Sequence, residues 1–414
     1  MREMKDSGIE WIGAIPQDWQ LSKIGSLYTQ RNEKVSDKDY QPLSVTMQGI
    51  LPQLATAAKT DDGDNRKLVR VGDFAINSRS DRRGSCGISP LDGSVSLINI
   101  ILTPRTAMHP GYYNWLFHTT LFADEFYKWG HGIVADLWTT RWQEMKSITV
   151  PVPEYAEQER IAAFLDAECA EIDAVLEKTR ASIEEYKKLK QAVITQAVTK
   201  GIRGDRPMKD SGIEWIGDIP AEWSVVPFSK FARVSANLVN PSDYQDYLQV
   251  SPENIEKDSG KLLPCKTVSE VGVESWNHFF HKGQILYSKI RPKLNKVCIA
   301  PFDGLCSADM YPIDTDNVSK FVMYTILSNG FNQQVSMITE NRVKMPKINQ
   351  KELSKLIVVM PKDYSEQQEV VDYLEDRCVK IDTLITQKQQ YLTEIENYKK
   401  SLIYEYVTGK KEVV

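Results

Sequence analysis

The sequence has no apolar run long enough to cross a bilayer, which needs about 20 consecutive apolar residues. Its first ten residues mix acidic and basic side chains, so they do not predict a signal peptide. The six cysteines are scattered without a CxxC pair, and the five histidines occur singly. This distribution argues against a structural zinc site and favours reduced thiols. We therefore expect a cytoplasmic protein with no membrane segment and no metal.

The motifs of several enzyme classes are also missing. No GxxxxGK[ST] pattern occurs, so ATP binding is not predicted. No Pro-Asp dipeptide is present to begin a metal-dependent nuclease site. The stretch Asn240-Pro241-Ser242-Asp243-Tyr244 only partly matches the Asn-Pro-Pro-aromatic motif of amino-methyltransferases, and a turn explains it better. We expect a non-catalytic chain without catalytic residues or a cofactor of its own; the alternative is an enzyme with an unfamiliar site.

The overall composition describes a folded protein of two or three domains. The chain has 414 residues, of which 42% are apolar, and its formal net charge is -5. A surface coated in basic residues is therefore excluded, whereas local basic patches are not.

Proline and glycine are absent from two long stretches, 156–200 and 365–408. In both, apolar positions recur with alternating steps of four and three, which is the heptad pattern of a helix with one narrow apolar seam. Each helix would be roughly 60 Å long. Ser365 with Gln368 predicts a capping box at the second start. The main seam residues are Leu165, Ile172, Leu176 and Ile183 in the first helix and Leu374, Ile381, Ile385 and Leu392 in the second.

A narrow seam on so long a helix requires a partner. We expect the two helices to pair with each other in antiparallel orientation, because two similar halves usually associate about a pseudo-two-fold axis. Two unrelated surface helices, or a coiled coil with another molecule, are the alternatives.

The chain is an internal duplication. The segment 4–16 reads MKDSGIEWIGAIP, and 208–220 differs from it only by Asp218 in place of Ala14. We call these two segments the opening repeats. The middle repeats more loosely, with strands predicted at 74–77 and 285–288 and helical segments at 112–129 and 318–337. The prediction is an α+β fold in which two mixed α/β domains form a pseudo-two-fold repeat joined by two long antiparallel coiled-coil helices. The predicted boundaries are 1–153, 154–203, 204–361 and 362–414.

Basic residues follow the same predicted strand in both halves. Because loops held by a scaffold usually carry the contacts to a partner, and because the pattern recurs, these loops predict nucleic-acid binding. A solvated charge run is the alternative. The candidates are Arg79, Arg82 and Arg83 in the first half and Lys289, Arg291, Lys293, Asn295 and Lys296 in the second. Arg141 and Arg342 are secondary candidates, with Lys128, His131, Lys344 and Lys347 beside them.

The opening repeats, the Glu-Gln pairs at 157–158 and 366–367 and the Val-Thr pairs that end both helices resemble the specificity subunit of type I restriction-modification systems. The resemblance covers nearly the whole chain. It implies two target recognition domains, one per half, that read a bipartite, asymmetric target in double-stranded DNA. The residues that match the family's opening motif are expected to seat the domains. They are Trp11, Ile12, Gly13, Ile15 and Pro16 in the first copy and Trp215, Ile216, Gly217, Ile219 and Pro220 in the second.

The same resemblance implies partners. Two modification subunits would dock here, carrying S-adenosylmethionine and methylating adenine N6. In some systems, two restriction subunits that use ATP and magnesium are expected to join them. A coiled-coil scaffold that bridges two identical partners without binding DNA is the alternative function.

Overall fold

The computed structural model describes residues 2–53, 63–132, 138–342 and 346–413. The chain forms two compact units, of which the first combines Met1–Arg180 with Gln390–Val414 and the second is Ala181–Gln389. The first unit therefore contains both the beginning and the end of the chain.

The first unit is built of short antiparallel strands and single-turn to three-turn helices. Its strands are β1 (Met4–Asp6), β2 (Ala14–Pro16), β3 (Gln20–Lys23), β4 (Tyr28–Arg31), β5 (Lys34–Val35), β6 (Leu43–Thr46), β7 (Gly49–Pro52), β8 (Arg66–Val69), β9 (Phe74–Asn77), β10 (Cys86–Ile88), β11 (Gly93–Val95), β12 (Asn99–Pro104) and β13 (Thr149–Val152). Its helices are α1 (Ile24–Leu27), α2 (Pro110–Phe117), α3 (Thr120–Lys128), α4 (Trp142–Met145) and the first part of α5 (Tyr155–Lys200).

The second unit follows a similar plan. Its strands are β14 (Met208–Asp210), β15 (Asp218–Pro220), β16 (Ser224–Pro227), β17 (Arg233–Val234), β18 (Leu238–Val239), β19 (Leu248–Val250), β20 (Lys266–Thr267), β21 (Asn277–Phe280), β22 (Ile285–Ser288), β23 (Val297–Ile299), β24 (Gly304–Cys306), β25 (Met310–Asp314) and β26 (Ile357–Met360). Its helices are α6 (Val268–Val271), α7 (Ser319–Leu327), α8 (Asn329–Thr339), α9 (Gln350–Leu353) and the first part of α10 (Tyr364–Val407).

The sheets show which parts of the duplication were kept. The first unit has a four-stranded sheet in the order β10-β9-β12-β4, and the second has β23-β22-β25-β17, the same order in corresponding strands. A second sheet has the order β11-β8-β5 in one unit and contains β24-β21-β18 in the other. The units differ in what is inserted. The first carries the separate hairpin β6–β7, whereas the second adds β19 and β20 to its second sheet.

The predicted helical segments 112–129 and 318–337 are confirmed, and each consists of two helices, α2 and α3 in the first unit and α7 and α8 in the second. Thr119 ends the helix in the first unit because its hydroxyl donates to the Leu116 carbonyl and accepts the Phe122 N–H. Ser328 makes the same two bonds to Thr325 and Phe331 in the second unit. One hydroxyl thus hydrogen-bonds a carbonyl at the end of the first helix and an N–H at the start of the second, which allows the chain to turn there.

The two long helices begin and end within one residue of their predicted bounds. In each unit, the part of α5 and the part of α10 present there pair antiparallel. Asp173 lies 2.6 Å from Lys399 in the first unit, and Lys190 lies 2.8 Å from Asp382 in the second. Partner numbers fall along α10 as they rise along α5, so the predicted antiparallel pairing is confirmed.

The seam residues lie in the interior of this helix pair. Leu165, Leu176, Ile183, Leu374 and Ile381 are buried, and Ile172, Ile385 and Leu392 are partly buried. The polar seam positions are also covered. The hydroxyl of buried Thr179 donates to the Val175 carbonyl, and buried Lys190 is neutralised by Asp382.

The start of α10 differs from the prediction. Ser365 lies inside the helix, and the carboxylate of Asp363 caps it by accepting the Ser365 N–H at 3.0 Å. The predicted capping box of Ser365 with Gln368 was therefore wrong, because an aspartate two residues earlier already satisfies the free N–H.

The Glu-Gln pairs are structural parts of both units. Gln158 donates to the Pro153 carbonyl and accepts the His109 N–H, which lies at the start of α2. Gln367 likewise donates to Pro361 and accepts the Val318 N–H at the start of α7. One glutamine thus joins the start of α5 to the start of α2, and another joins the start of α10 to the start of α7.

The glutamates of these pairs bind arginines that precede the opening repeats. Glu157 pairs with Arg2, and Glu366 pairs with Arg206. Hydrogen bonding to Glu157 is the largest cause that raises the pKa of Arg2. The duplication therefore extends to these arginines, which the sequence reading did not include.

The opening repeats pack against the ends of the long helices. Ile12 and Ile15 are fully buried in the first unit beside Leu402 and Val407, and Ile219 is fully buried in the second. Gly409 ends α10 with φ +70, and a Cβ there would lie 2.5 Å from Pro16, so glycine is required by both the backbone and the space.

Candidate nucleic-acid interface

The first basic loop leaves the central strand β9 of the four-stranded sheet. It makes one turn of 3-10 helix at Ser80–Arg82, and the side chains of Arg79, Arg82 and Arg83 are exposed. Tyr127 supports the loop because its hydroxyl donates to the Asn77 carbonyl at 3.1 Å. The buried strand thus fixes the base of the loop while its cations face solvent.

The three arginines differ in how far they are engaged. Arg83 forms an ion pair with Asp124 and lies over the ring of Tyr127, with 5.9 Å between the guanidinium carbon and the ring centroid. Arg82 lies 3.7 Å from Asp81, and both side chains are well exposed. Exposed ion pairs of this kind are weak, so Arg82 can exchange Asp81 for another anion.

The segment before α4 lies beside this loop. Thr139 forms isolated antiparallel bridges with both Arg79 and His131, and the Thr140 N–H donates to the Ser78 carbonyl at 3.0 Å. Arg141 follows at once, exposed, and its backbone N–H donates to Glu144. The structure therefore brings Arg79, His131 and Arg141 into one region, while Lys128 is exposed at the end of α3.

A cleft of about 640 Å³ lies between the first basic loop and the hairpin β6–β7. Arg79, Arg82 and Arg83 line one side, and Thr46 and Met47 line the other. Buried Arg66 also lines it, and its guanidinium donates to the hydroxyl and carbonyl of Ser94. The hairpin was not among the predicted site residues. The sequence signal for it was Gly49, which lies between the alternating apolar residues Leu43 and Val45 and the apolar pair Ile50 and Leu51.

The second basic loop occupies the corresponding position after β22. Arg291 and Lys293 are exposed, and Pro292–Leu294 forms a 3-10 turn. Arg291 and Asn295 both have left-handed backbone conformations, with φ 45 and φ 44. Residues other than glycine adopt this backbone conformation only where the surrounding structure holds it, so the loop has one defined shape.

Other residues of the second loop are turned inward. Asn295 is buried, and its amide donates to the Leu327 carbonyl at 3.0 Å. Lys296 donates to the Pro252 carbonyl at 2.7 Å. Lys289 lies over the ring of Tyr311, and burial lowers its pKa. These three side chains hold the loop, and Arg291 and Lys293 are the ones it presents.

The segment that follows α8 flanks this second loop. Ile290 bridges Lys347, and the Arg291 N–H donates to the Pro346 carbonyl at 2.8 Å. Arg342 pairs with Glu352 and donates to the Lys347 carbonyl, and the hydrogen bond to Glu352 raises the pKa of Arg342. Lys344 lies outside the described residues. The arrangement repeats that of Thr139 and Arg79 in the first unit.

Among the residues that the structure describes, no group of three or more His, Cys, Asp or Glu side chains could hold a metal ion. No described helix is both long and apolar enough to cross a membrane.

Fold and surface together define a tandem-domain protein, in which two units of one plan each present a shaped basic loop and share a pair of long helices. Sequence comparison identifies relatives. The chain is 35% identical over 286 residues to the type I restriction enzyme EcoDI specificity subunit of Escherichia coli, a match covering 64% of this chain and 63% of that protein. It is 22% identical over 427 residues to the MjaVIII specificity subunit of Methanocaldococcus jannaschii, covering 96% and 94%. No protein-family model matches.

Solved structures share the fold. A chain from a structural study of complex assembly and conformational transition in a type I R-M system matches with a TM-score of 0.74 at 12% identity, covering 96% of this chain and 99% of that one. The HsdS subunit of Thermoanaerobacter tengcongensis matches with a TM-score of 0.51 at 14% identity, covering 96% and 98%. The relatives found by sequence are thus type I restriction enzyme specificity subunits, and solved chains from type I R-M systems share the fold.

Proposed function

We propose that this chain is the DNA-reading subunit of a type I restriction-modification complex, and that it recognises a bipartite, asymmetric target in double-stranded DNA. The observation that carries the proposal is the pair of basic loops. They leave corresponding strands, β9 and β22, of corresponding four-stranded sheets. Both present exposed cations, and different side chains hold each loop in place. A shared frame with different loops suits two readers of different half-sites.

Each unit reads one half-site. In the first, Arg79 and Arg82 contact bases or phosphates; in the second, Arg291 and Lys293 have this role. Arginine forms a bidentate pair with guanine in the major groove, whereas lysine most often meets phosphate. Asn295 and Lys296 act indirectly, because their side chains hold the loop.

The chemistry belongs to partners. Two modification subunits dock on the duplicated frame, one for each half, and carry S-adenosylmethionine for methylation of adenine N6. Methylation of a base requires it to be flipped out of the duplex, and those subunits supply the pocket. Restriction subunits, if present, supply the ATP- and magnesium-dependent steps. This chain contributes sequence recognition and geometry and is itself non-catalytic.

The test is to produce the chain with its modification subunit and sequence the methylated DNA of the host cell. The expected result is one motif with two short specified parts, different from each other and separated by unspecified positions. Methylation should be absent when either protein is produced alone. If the purified complex bound DNA with no salt dependence, or not at all, a scaffold without DNA recognition would replace the proposal.

A further inference from the structure

The hairpin β6–β7 is the most prominent difference between the two units that borders a basic loop. Its register pairs Leu43 with Pro52 and Thr46 with Gly49, which leaves Met47 and Gln48 as a two-residue tip. Both tip residues are exposed, and Met47 is 71% exposed. An apolar side chain so exposed at the edge of a basic cleft calls for an explanation.

The base of the hairpin is rigid. Leu43 and Ile50 are buried in a small core with Val69 and Val95. The Ser94 N–H donates to the Gln41 carbonyl at 2.9 Å, which fixes the first strand to β11. A Cβ on Gly87 would lie 2.9 Å from the Gly49 Cα, so the hairpin lies directly on the sheet that carries the basic loop.

The tip is shaped by its own hydrogen bonds. The Thr46 hydroxyl donates to the Gly49 carbonyl at 2.9 Å and accepts the Gln48 N–H at 3.1 Å. Gly49 has φ +102, which other residues adopt with strain. These bonds use the backbone N–H of Gln48, and among the described residues none hydrogen-bonds its side-chain amide.

The chemistry of the tip matches one base pair. The major groove of B-DNA admits a two-stranded β-ribbon. Glutamine can form a bidentate pair with adenine N6 and N7, and an apolar side chain can contact the thymine methyl group. Arg79 and Arg82 also line the cleft, where they could contact the DNA phosphates or neighbouring bases.

We propose that the hairpin tip Met47-Gln48 is a specificity-determining element of the first half-site, reading an A·T pair in the major groove beside the contacts of the basic loop. This inference rests on the proposed function. It assigns the first unit a reader that the second lacks, because β19 and β20 are joined to the sheet there.

The experiment uses the complex of the full chain with its modification subunit, and compares methylation motifs by sequencing. Gln48→Ala should reduce discrimination at one A·T position of one half-site by roughly ten- to a hundredfold, since a bidentate pair accounts for that much. Gln48→Arg should shift that position toward G·C, because arginine pairs with guanine. Met47→Ala should weaken preference at the same or the adjoining position. The other half-site and the gap should not change.

Gln143→Ala is the matched control, since Gln143 is also exposed in the first unit but lies in α4, outside the hairpin. It should leave the motif intact. If the unaltered complex yields a bipartite motif and all hairpin variants yield the same motif, the hairpin inference is overturned and the proposed function stands. If the unaltered complex yields no bipartite motif, the proposed function itself fails.

Discussion

Single residues in the two basic loops have separable expected effects. Arg82→Ala should relax or weaken recognition of one half-site, and Arg291→Ala that of the other, because each side chain is exposed in a different unit. Loss of a base contact should cost about 1–3 kcal/mol at one position. Methylation of oligonucleotides altered in one half-site at a time would measure this.

The control is Arg70→Ala, because Arg70 is partly exposed in the first unit and pairs with Asp92 away from the cleft. A uniform loss on all sequences, with a smaller salt dependence, would assign Arg82 or Arg291 to phosphate contact instead.

His118 gives the first unit a pH-dependent stability. Burial is the main cause that lowers its pKa below the ordinary value, and its Nδ1 lies 2.7 Å from the Asn114 carbonyl, which suits a neutral ring that donates. The unfolded chain then binds a proton more readily than the folded one. The free energy of unfolding should fall as pH drops below about 6.5, the ordinary histidine pKa. In His118→Asn, urea unfolding at neutral and mildly acidic pH should show a smaller change.

At the scale of elements, the paired glutamines should stabilise their units. Gln158→Leu and Gln367→Leu each leave buried backbone groups without partners, and such groups cost about 1–3 kcal/mol. Chemical denaturation would show the loss. Gln368→Leu is the control, because exposed Gln368 bonds only to neighbouring Asp372 among the described contacts. Equal stability of all three variants would contradict the fastening role.

The elements that could be predicted were those with long or strongly bounded patterns. The heptad seam predicted both long helices, and the Gly turns predicted β9 and β22, because these signals are local and repeated. The breaks at Thr119 and Ser328 were missed, because threonine and serine also occur inside helices and do not by themselves predict a helix end. The Asp363 cap was missed because Ser365 matches a more familiar pattern.

The site was predicted only at the level of the loops. The basic loops follow corresponding strands in the two halves, and this shared position pointed to Arg82 and Arg291. Sequence could not show that Asn295 faces inward, because its partner is the backbone carbonyl of Leu327, far along the chain. The hairpin was missed because its relation to the basic loop arises only when β7 packs against β10.

At the scale of the whole molecule, we expect the long helices to set the length of the unread gap between the two half-sites. Because α5 and α10 are each continuous, their length is a property the sequence can change without touching either reader. Insertions must preserve the heptad, since any other number of residues would turn the seam away from its partner.

Seven residues inserted into both helices, between Arg180 and Ala181 and between Gln389 and Gln390, add about 10 Å to each. With base pairs about 3.4 Å apart, the gap should lengthen by up to about three positions, and both half-sites should stay the same. Insertion into one helix alone should prevent the seam from matching and abolish methylation. Sequencing of methylated DNA measures gap and half-sites at once. Altered half-sites with the original gap would show that the helices do not set the spacing, because the readers would then have changed while the distance had not.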